Sequence, residues 1–165
     1  MTLLLLASLA LADEPTAVVD GTTVRGTAHL AVAPGVVLDA LADPAFESRI
    51  QQSRTTTTVT VREGACHQAA YVVPHPIMTA RYELRRCRTD AGWDVSLVSS
   101  DSFHTYQGSW RAVPEGEGAR LTFEVDLTSS IRWVPESIVR GEMRKSVRQL
   151  MAALAAWSEA QAAGG

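Results

Sequence analysis

Residues 133–159 read WVPESIVRGEMRKSVRQLMAALAAWSE, and the periodicity of this stretch decides the fold. Val139, Met143, Val147, Leu150, Leu154 and Trp157 recur at steps of three and four, while Arg140, Arg144, Lys145, Arg148 and Glu159 fall off that line. Such spacing marks an amphipathic helix of about 25 residues with one apolar stripe. Pro135 suits the first position of a helix, and Glu136 suits its positive end.

Toward the N-terminus the pattern changes from helical to alternating. Strands are expected at 54–63, 65–73, 78–88, 92–99, 102–112 and 119–128. Turns fall at Gly64, Pro74-His75-Pro76, Asp90-Ala91-Gly92, Ser99–Asp101 and Pro114–Gly118. Thr55–Thr58 fits a strand because β-branched residues suit a pleated surface. Strands in a row with short turns form an antiparallel meander. Further back, residues 24–32 alternate as a first strand, with Val24, Ala28, Leu30 and Val32 on one face. Two short helices follow, one over 36–42 and one running from Pro44 to about Ile50, with Asp43 as its cap. The expected class is α+β: a curved antiparallel sheet of about seven strands wrapped around one long C-terminal helix. A curved sheet offers more concave surface than one helix can fill, so a cavity is expected between them.

The first twelve residues, MTLLLLASLALA, carry no charge. They are too short to span a bilayer, which takes about 20 apolar residues. Ala10-Leu11-Ala12 followed by Asp13-Glu14-Pro15 has the form of a leader and its cleavage site, although no Lys or Arg precedes the run. The alternative is a buried N-terminal helix. The expectation is a leader over 1–12 and a single domain over 13–165, exported to the periplasm or secreted after cleavage near Ala12. No lipid-anchoring cysteine follows the leader, which points to a soluble mature chain. The net charge of −3 lacks the basic footprint of a nucleic-acid binder.

The two cysteines are informative through register. If residues 73 and 80 pair across the double-proline turn, stepping back along both strands brings Cys66 opposite Cys87. The same register sets Tyr71 against Tyr82 and Ala69 against Leu84 on an apolar face. It sets Gln68 against Arg85, with the cysteines, on a polar one. Opposed residues lie close enough for a disulfide, and an exported chain permits one. A redox pair is poorly supported, because no C-x-x-C spacing is present. Two reduced thiols remain the other alternative.

Val73-Pro74-His75-Pro76 followed by Arg81-Tyr82-Glu83-Leu84 resembles the "P-x-P … R" segment of START-domain and polyketide-cyclase-like proteins (the SRPBCC superfamily). So do Gly108-Ser109-Trp110 with Pro114, the Leu121–Leu127 strand, Leu41-Ala42-Asp43-Pro44, and Trp133-Val134-Pro135 leading into the last helix. The resemblance covers nearly the whole chain after the leader in element order. Two departures are His75 in place of an aromatic between the prolines, and an arginine standing one residue late. The resemblance implies a helix-grip fold around an apolar cavity. Members bind lipids, sterols, quinones and polyketides, and some are enzymes; the fold alone does not choose between these.

The residues themselves supply little catalytic chemistry. His29, His67, His75 and His104 are scattered, with no ligand spacing, so no metal is expected. Gly108-Ser109-Trp110 is not a nucleophile frame, and neither a phosphate loop nor any other cofactor motif is present. The expected ligand-binding set is Tyr71, Tyr82, Leu84, Trp93, Phe103, Phe123, Met143 and Val147 as apolar wall, Arg49 and His104 as polar anchors with the two tyrosines, and Trp133 in a gating loop. The inward face of 102–112 stays open, because Trp110 pairs with Thr122 across a symmetrical turn but with Phe123 if one residue bulges. The leading expectation is an exported carrier of a hydrophobic small molecule, monomeric, with transient membrane contact and no catalytic residue. The alternatives are a cyclase- or dehydratase-type enzyme using His104 and a tyrosine, and a domain with a filled core acting through its surface.

Overall fold

The computed structural model describes residues 14–76 and 78–164; the leader expected over 1–12 lies outside them. Eight strands form one antiparallel sheet: β1 (Thr16–Asp20), β2 (Thr23–Leu30), β3 (Thr56–Glu63), β4 (Cys66–Pro74), β5 (Thr79–Thr89), β6 (Gly92–Ser100), β7 (Phe103–Glu115) and β8 (Gly118–Ser129). Their order across the sheet is β1-β2-β8-β7-β6-β5-β4-β3. Two short helices, α1 (Pro34–Ala40) and α2 (Phe46–Ile50), follow β2, and the long α3 (Glu136–Gly164) closes the chain. This is the helix-grip arrangement. The sequence reading lacks β1, an exposed five-residue edge strand whose TAVVD carries no clear alternation.

The sheet's inner face carries the core. Val24, Ala28, Leu30, Leu121, Phe123, Val125, Leu127 and Trp110 are buried on the central strands. From α3, Val147, Leu150, Met151 and Leu154 are buried against them. Each such side chain contributes about 1.5–3 kcal/mol by leaving water, so these four residues anchor the C-terminal half of α3. No residue of α3 before Val147 is buried. Gly26 lets the helix approach β2, since a Cβ there would lie 2.4 Å from Val147 Cγ1.

The short helices close one end. α1 begins at Pro34, earlier than expected, because proline fits the first turn. It is tied to the sheet by Trp93 Nε1 donating to Leu38 O at 2.8 Å. Asp43 Oδ1 accepts from Ala45 N–H at 2.9 Å and so organises the turn into α2, which starts at Phe46 rather than Pro44. Phe46 meets Trp157 of α3 edge-on, with centroids 5.0 Å apart.

The β4–β5 register is the expected one, with Cys66 opposite Cys87, Tyr71 opposite Tyr82 and Ala69 opposite Leu84. Cys66 and Cys87 form a disulfide. Closing a loop of 21 residues in sequence separation stabilises by about 3 kcal/mol on a chain-entropy account. The open question on β7 resolves toward Trp110 opposite Phe123, through a two-residue turn between Glu115 and Gly118 rather than through a bulge. Gly116 supplies the positive φ of 60° that such a turn needs. A bulge does occur at the other end of β7, between Phe103 and Thr105.

Candidate functional site

Between the sheet and the N-terminal half of α3 lies a cavity of about 360 Å³. Its sheet wall comes from alternate inward positions of β4, β5, β7 and β8: Tyr71, Val73, Tyr82, Leu84, Phe103, Tyr106 and Phe123. Met143, Val147 and Leu150 of α3 form the roof, and Glu47 and Gln51 mark the end at α2. A larger, open hollow of about 540 Å³ lies on the outer face of the sheet, bordered by Asp94, Ser96, Gln107, Arg111, Glu124 and Asp126. It has no aromatic wall, so the inner cavity is the candidate site.

All three tyrosines of the chain line this cavity. Tyr71 and Tyr82 stack at 5.4 Å, Tyr82 and Tyr106 stack at 6.0 Å, and Phe103 packs edge-on against the last two. Tyr82 and Tyr106 meet although β6 lies between their strands. The β6–β7 ladder covers only Gly92–Ser96 and stops at Ser96 opposite Gln107, short of the tyrosines. Burial pushes the Tyr71 phenol up to about 12 and raises Tyr82 and Tyr106 well above the ordinary phenol range. The three hydroxyls stay protonated and serve as hydrogen-bonding groups.

One buried ion pair, Arg86 with Glu47, borders this cavity. Arg86 of β5 is buried, and its Nη1 lies 2.5 Å from Glu47 Oε1 of α2. Burial opposes the guanidinium charge, but the adjacent Glu47 carboxylate outweighs it and raises the Arg86 pKa. The contact is an ion pair off hydrogen-bond alignment. Arg86 Nε and Nη1, Glu47 Oε1 and Tyr71 Oη have no hydrogen-bond partner among the described residues. The guanidinium carbon also stands 5.8 Å from the centre of the Tyr71 ring. Buried polar atoms are normally satisfied, so the Arg86 and Tyr71 donors can take an acceptor placed in the cavity.

His67 lies across the strand pair from Arg86 and from Arg62, and is buried with Nε2 unpartnered. Its ring packs edge-on against Trp93 at 5.5 Å. Burial lowers its pKa, and Arg86 and Arg62 lower it further, so the imidazole is neutral.

Of the residues expected to bind ligand, the cavity brings together Tyr71, Tyr82, Leu84, Phe103, Phe123, Met143 and Val147. The structure places four elsewhere. Arg49 is exposed and pairs with Asp43 at 2.5 Å. It stands two residues from Glu47 on α2, and two residues turn a helix by about 200°, so the acid faces inward and the arginine outward. His104 is exposed because the bulge gives its inward place to Phe103. Trp93 is buried in the packed core near α1. Trp133 is 68% exposed and outside the cavity wall.

The sequence reading lacks Arg86, Glu47 and Tyr106. Arg86 was within reach of the hairpin register, which sets it opposite His67 on the Ala69–Leu84 face. Tyr106 depended on the face of β7, and Glu47 on the rotation of α2.

Neither a family model nor a curated protein matches the chain. Solved structures do match. A START superfamily protein from Mycobacterium smegmatis superposes with a TM-score of 0.72 at 17% identity, over 86% of this chain and 99% of the other. The Zhui aromatase/cyclase from Streptomyces sp. R1128 gives 0.74 at 15% identity, over 87% and 98%. A STAR-related lipid transfer protein from Xanthomonas axonopodis gives 0.66 at 14% identity, over 89% and 99%. The sequence resemblance and the structural likeness agree: the fold is START-like.

Proposed function

We propose that this chain binds a hydrophobic small molecule in the cavity between sheet and α3, with an acceptor group of the ligand at Arg86 and Tyr71. The carrying observation is the unpartnered Arg86 Nε and Tyr71 Oη beside the aromatic wall of a chamber whose α2 end is polar. At about 360 Å³ the chamber falls within the range of small-molecule sites, roughly 300–1,000 Å³. Apolar burial supplies the affinity and the Arg86 end sets the orientation. The neighbours named as a lipid transfer protein and as an aromatase/cyclase support a lipid- or polyketide-like ligand class. Carriage rather than catalysis is favoured because the His104–tyrosine pair that an acid–base mechanism would use is not assembled. The Cys66–Cys87 disulfide and the apolar run at residues 1–12 support an exported chain.

The test is native mass spectrometry of protein purified from an exporting host, followed by organic extraction and identification of what is released. A stoichiometric lipid, sterol, quinone or polyketide-like molecule is the expected result. A bare protein that also takes up no lipid on incubation would overturn the reading.

A further inference from the structure

Beside the Arg86–Glu47 contact itself, three polar atoms of the cavity lining are buried without a hydrogen-bond partner among the described residues: Arg86 Nε, Tyr71 Oη and Thr57 Oγ1. Thr57 of β3 stands opposite Tyr71 of β4, so both hydroxyls belong to the inner face. The chemistry gathered here is mixed. A guanidinium only donates, a hydroxyl donates or accepts, and a carboxylate has about four lone-pair sites, of which Arg86 engages few. Arg86 Nη1 and Glu47 Oε1 lie 2.5 Å apart. A ligand group that satisfies both of these residues therefore carries an acceptor and a donor side by side.

Charge narrows the class further. Among the described residues, Arg86 is the one cation and Glu47 the one anion in the lining. The pair is neutral as a whole, and Glu47 has already compensated the guanidinium. The charges felt at the Tyr71 phenol are Arg86 against both Glu47 and Asp43. A carboxylate or phosphate entering this end would set a second anion beside Glu47 and leave one buried charge without a counter-charge, which is costly. Size acts in the same direction. A chamber of about 360 Å³ holds roughly a dozen waters at about 30 Å³ each. That is room for one or two rings and too little for a two-chain lipid. The stacked Tyr71 and Tyr82 rings, 21° apart in plane, offer such a ligand a flat wall.

On the basis of the cavity function proposed above, we infer that the ligand is a small, uncharged molecule whose polar head pairs a carbonyl-type acceptor with an adjacent hydroxyl or amide donor. Arg86 and Tyr71 donate to the acceptor, and Glu47 takes the donor. The ion pair thereby selects against carboxylates, although an unpaired arginine in the same place would attract them.

The experiment titrates the full chain by calorimetry, near neutral pH, with four probes of one shape: 2-naphthamide, 2-acetylnaphthalene, 2-ethylnaphthalene and ionised 2-naphthoate. The amide is expected to bind tightest, about tenfold to a hundredfold above ethylnaphthalene, as a hydrogen bond to a charged partner implies. Acetylnaphthalene, with an acceptor alone, falls between them, and naphthoate binds most weakly. Glu47→Gln leaves Arg86 uncompensated and raises naphthoate affinity by about tenfold to a hundredfold. Should that variant fail to fold, Glu47→Leu with Arg86→Met carries the test, since it should bind all four probes alike. Naphthoate binding as tightly as the amide in the wild type would overturn the inference. So would an amide no better than ethylnaphthalene, or a double variant that keeps the wild-type ranking. In each of these cases ethylnaphthalene still binds and the cavity stands. If none of the four binds, the cavity function falls and takes this inference with it.

Discussion

Glu47→Gln is the most informative perturbation of the site. It keeps the shape of the side chain and removes the one carboxylate that compensates Arg86. The arginine side chain is 5% exposed and its Nη1 lies 2.5 Å from the carboxylate, so the variant strands a buried charge. Breaking a buried pair in this way costs about 3–5 kcal/mol. Glu47 itself is 19% exposed, so water reaches this end of the pair and the lower figure, about 3 kcal/mol, is expected. Against a total stability of about 5–15 kcal/mol the effect is large. With a urea slope of about 1–3 kcal/mol per molar, the midpoint falls by roughly 1–3 M at an unchanged slope. Glu47→Leu combined with Arg86→Met removes both charges and should return stability to near wild type, because apolar replacement of a buried pair is often neutral or better. The double variant separates stability from binding: it should keep an apolar dye and lose preference for ligands bearing a carbonyl or hydroxyl. The assay is urea unfolding followed by circular dichroism, with dye displacement alongside. A Glu47→Gln cost below about 1 kcal/mol, or a double variant as unstable as the single, would refute the reasoning.

Gly26→Ala drives a Cβ to 2.4 Å from Val147 Cγ1 and 2.9 Å from Met151 Cγ; overpacking of this kind destabilises by about 1–3 kcal/mol. Thermal unfolding should show a lowered midpoint, partly restored by adding Val147→Ala, and an unchanged midpoint would mean that α3 does not press on β2. Alkaline titration followed by phenolate absorbance should show no native ionisation near about pH 10, because all three tyrosines are raised. Their neutral forms hold stability below the unfolded phenol pKa and lose it as pH climbs toward the folded values, so the absorbance should appear together with unfolding. His67 has the opposite sign: its folded pKa lies below the ordinary 6.5, so the unfolded chain takes up the proton first. Stability is full above pH 6.5 and declines as pH falls from there to the folded value; His67→Gln should flatten that acid limb in urea titrations at stepped pH, and an identical limb would exclude His67 as its source.

The helix and the hairpin were legible because each rests on a local rule. The α3 stripe follows from steps of three and four, and the β4–β5 register follows from the double-proline turn and the apolar pairs on one face. The same register carried Arg86 to the inner face, but the habit that charged strand residues face water hid it. What rescues Arg86 there is Glu47, which is distant in sequence and reached only through the tertiary placement of α2. His104 and Phe103 show a different limit. Alternation back from Trp110 sends His104 inward, and one bulged residue reverses the parity at the end of β7. β1 failed for want of signal, since a short edge strand exposed on both faces has no reason to alternate.

The cavity is affordable because packing and emptiness are divided along α3. An apolar chamber forfeits contacts that a filled core would make, and one under the whole helix would leave α3 poorly held. The buried residues of α3 all lie from Val147 onward. There they meet Gly26 of β2, and Phe46 of α2 packs on Trp157. Before Val147 the helix offers only half-buried Val139 and Met143 to the sheet. Local stability follows contact density, so the N-terminal half of α3 is the less firmly packed half. What holds this half is the packing of Val139 and Met143, the Ser129 N–H donating to Glu136 Oε1 at 3.1 Å and the His75–Glu142 pair at 3.5 Å. The disulfide strengthens the same division from the sheet side. It clamps β4 to β5 at residues adjoining His67 and Arg86, and so holds the polar end of the chamber in place.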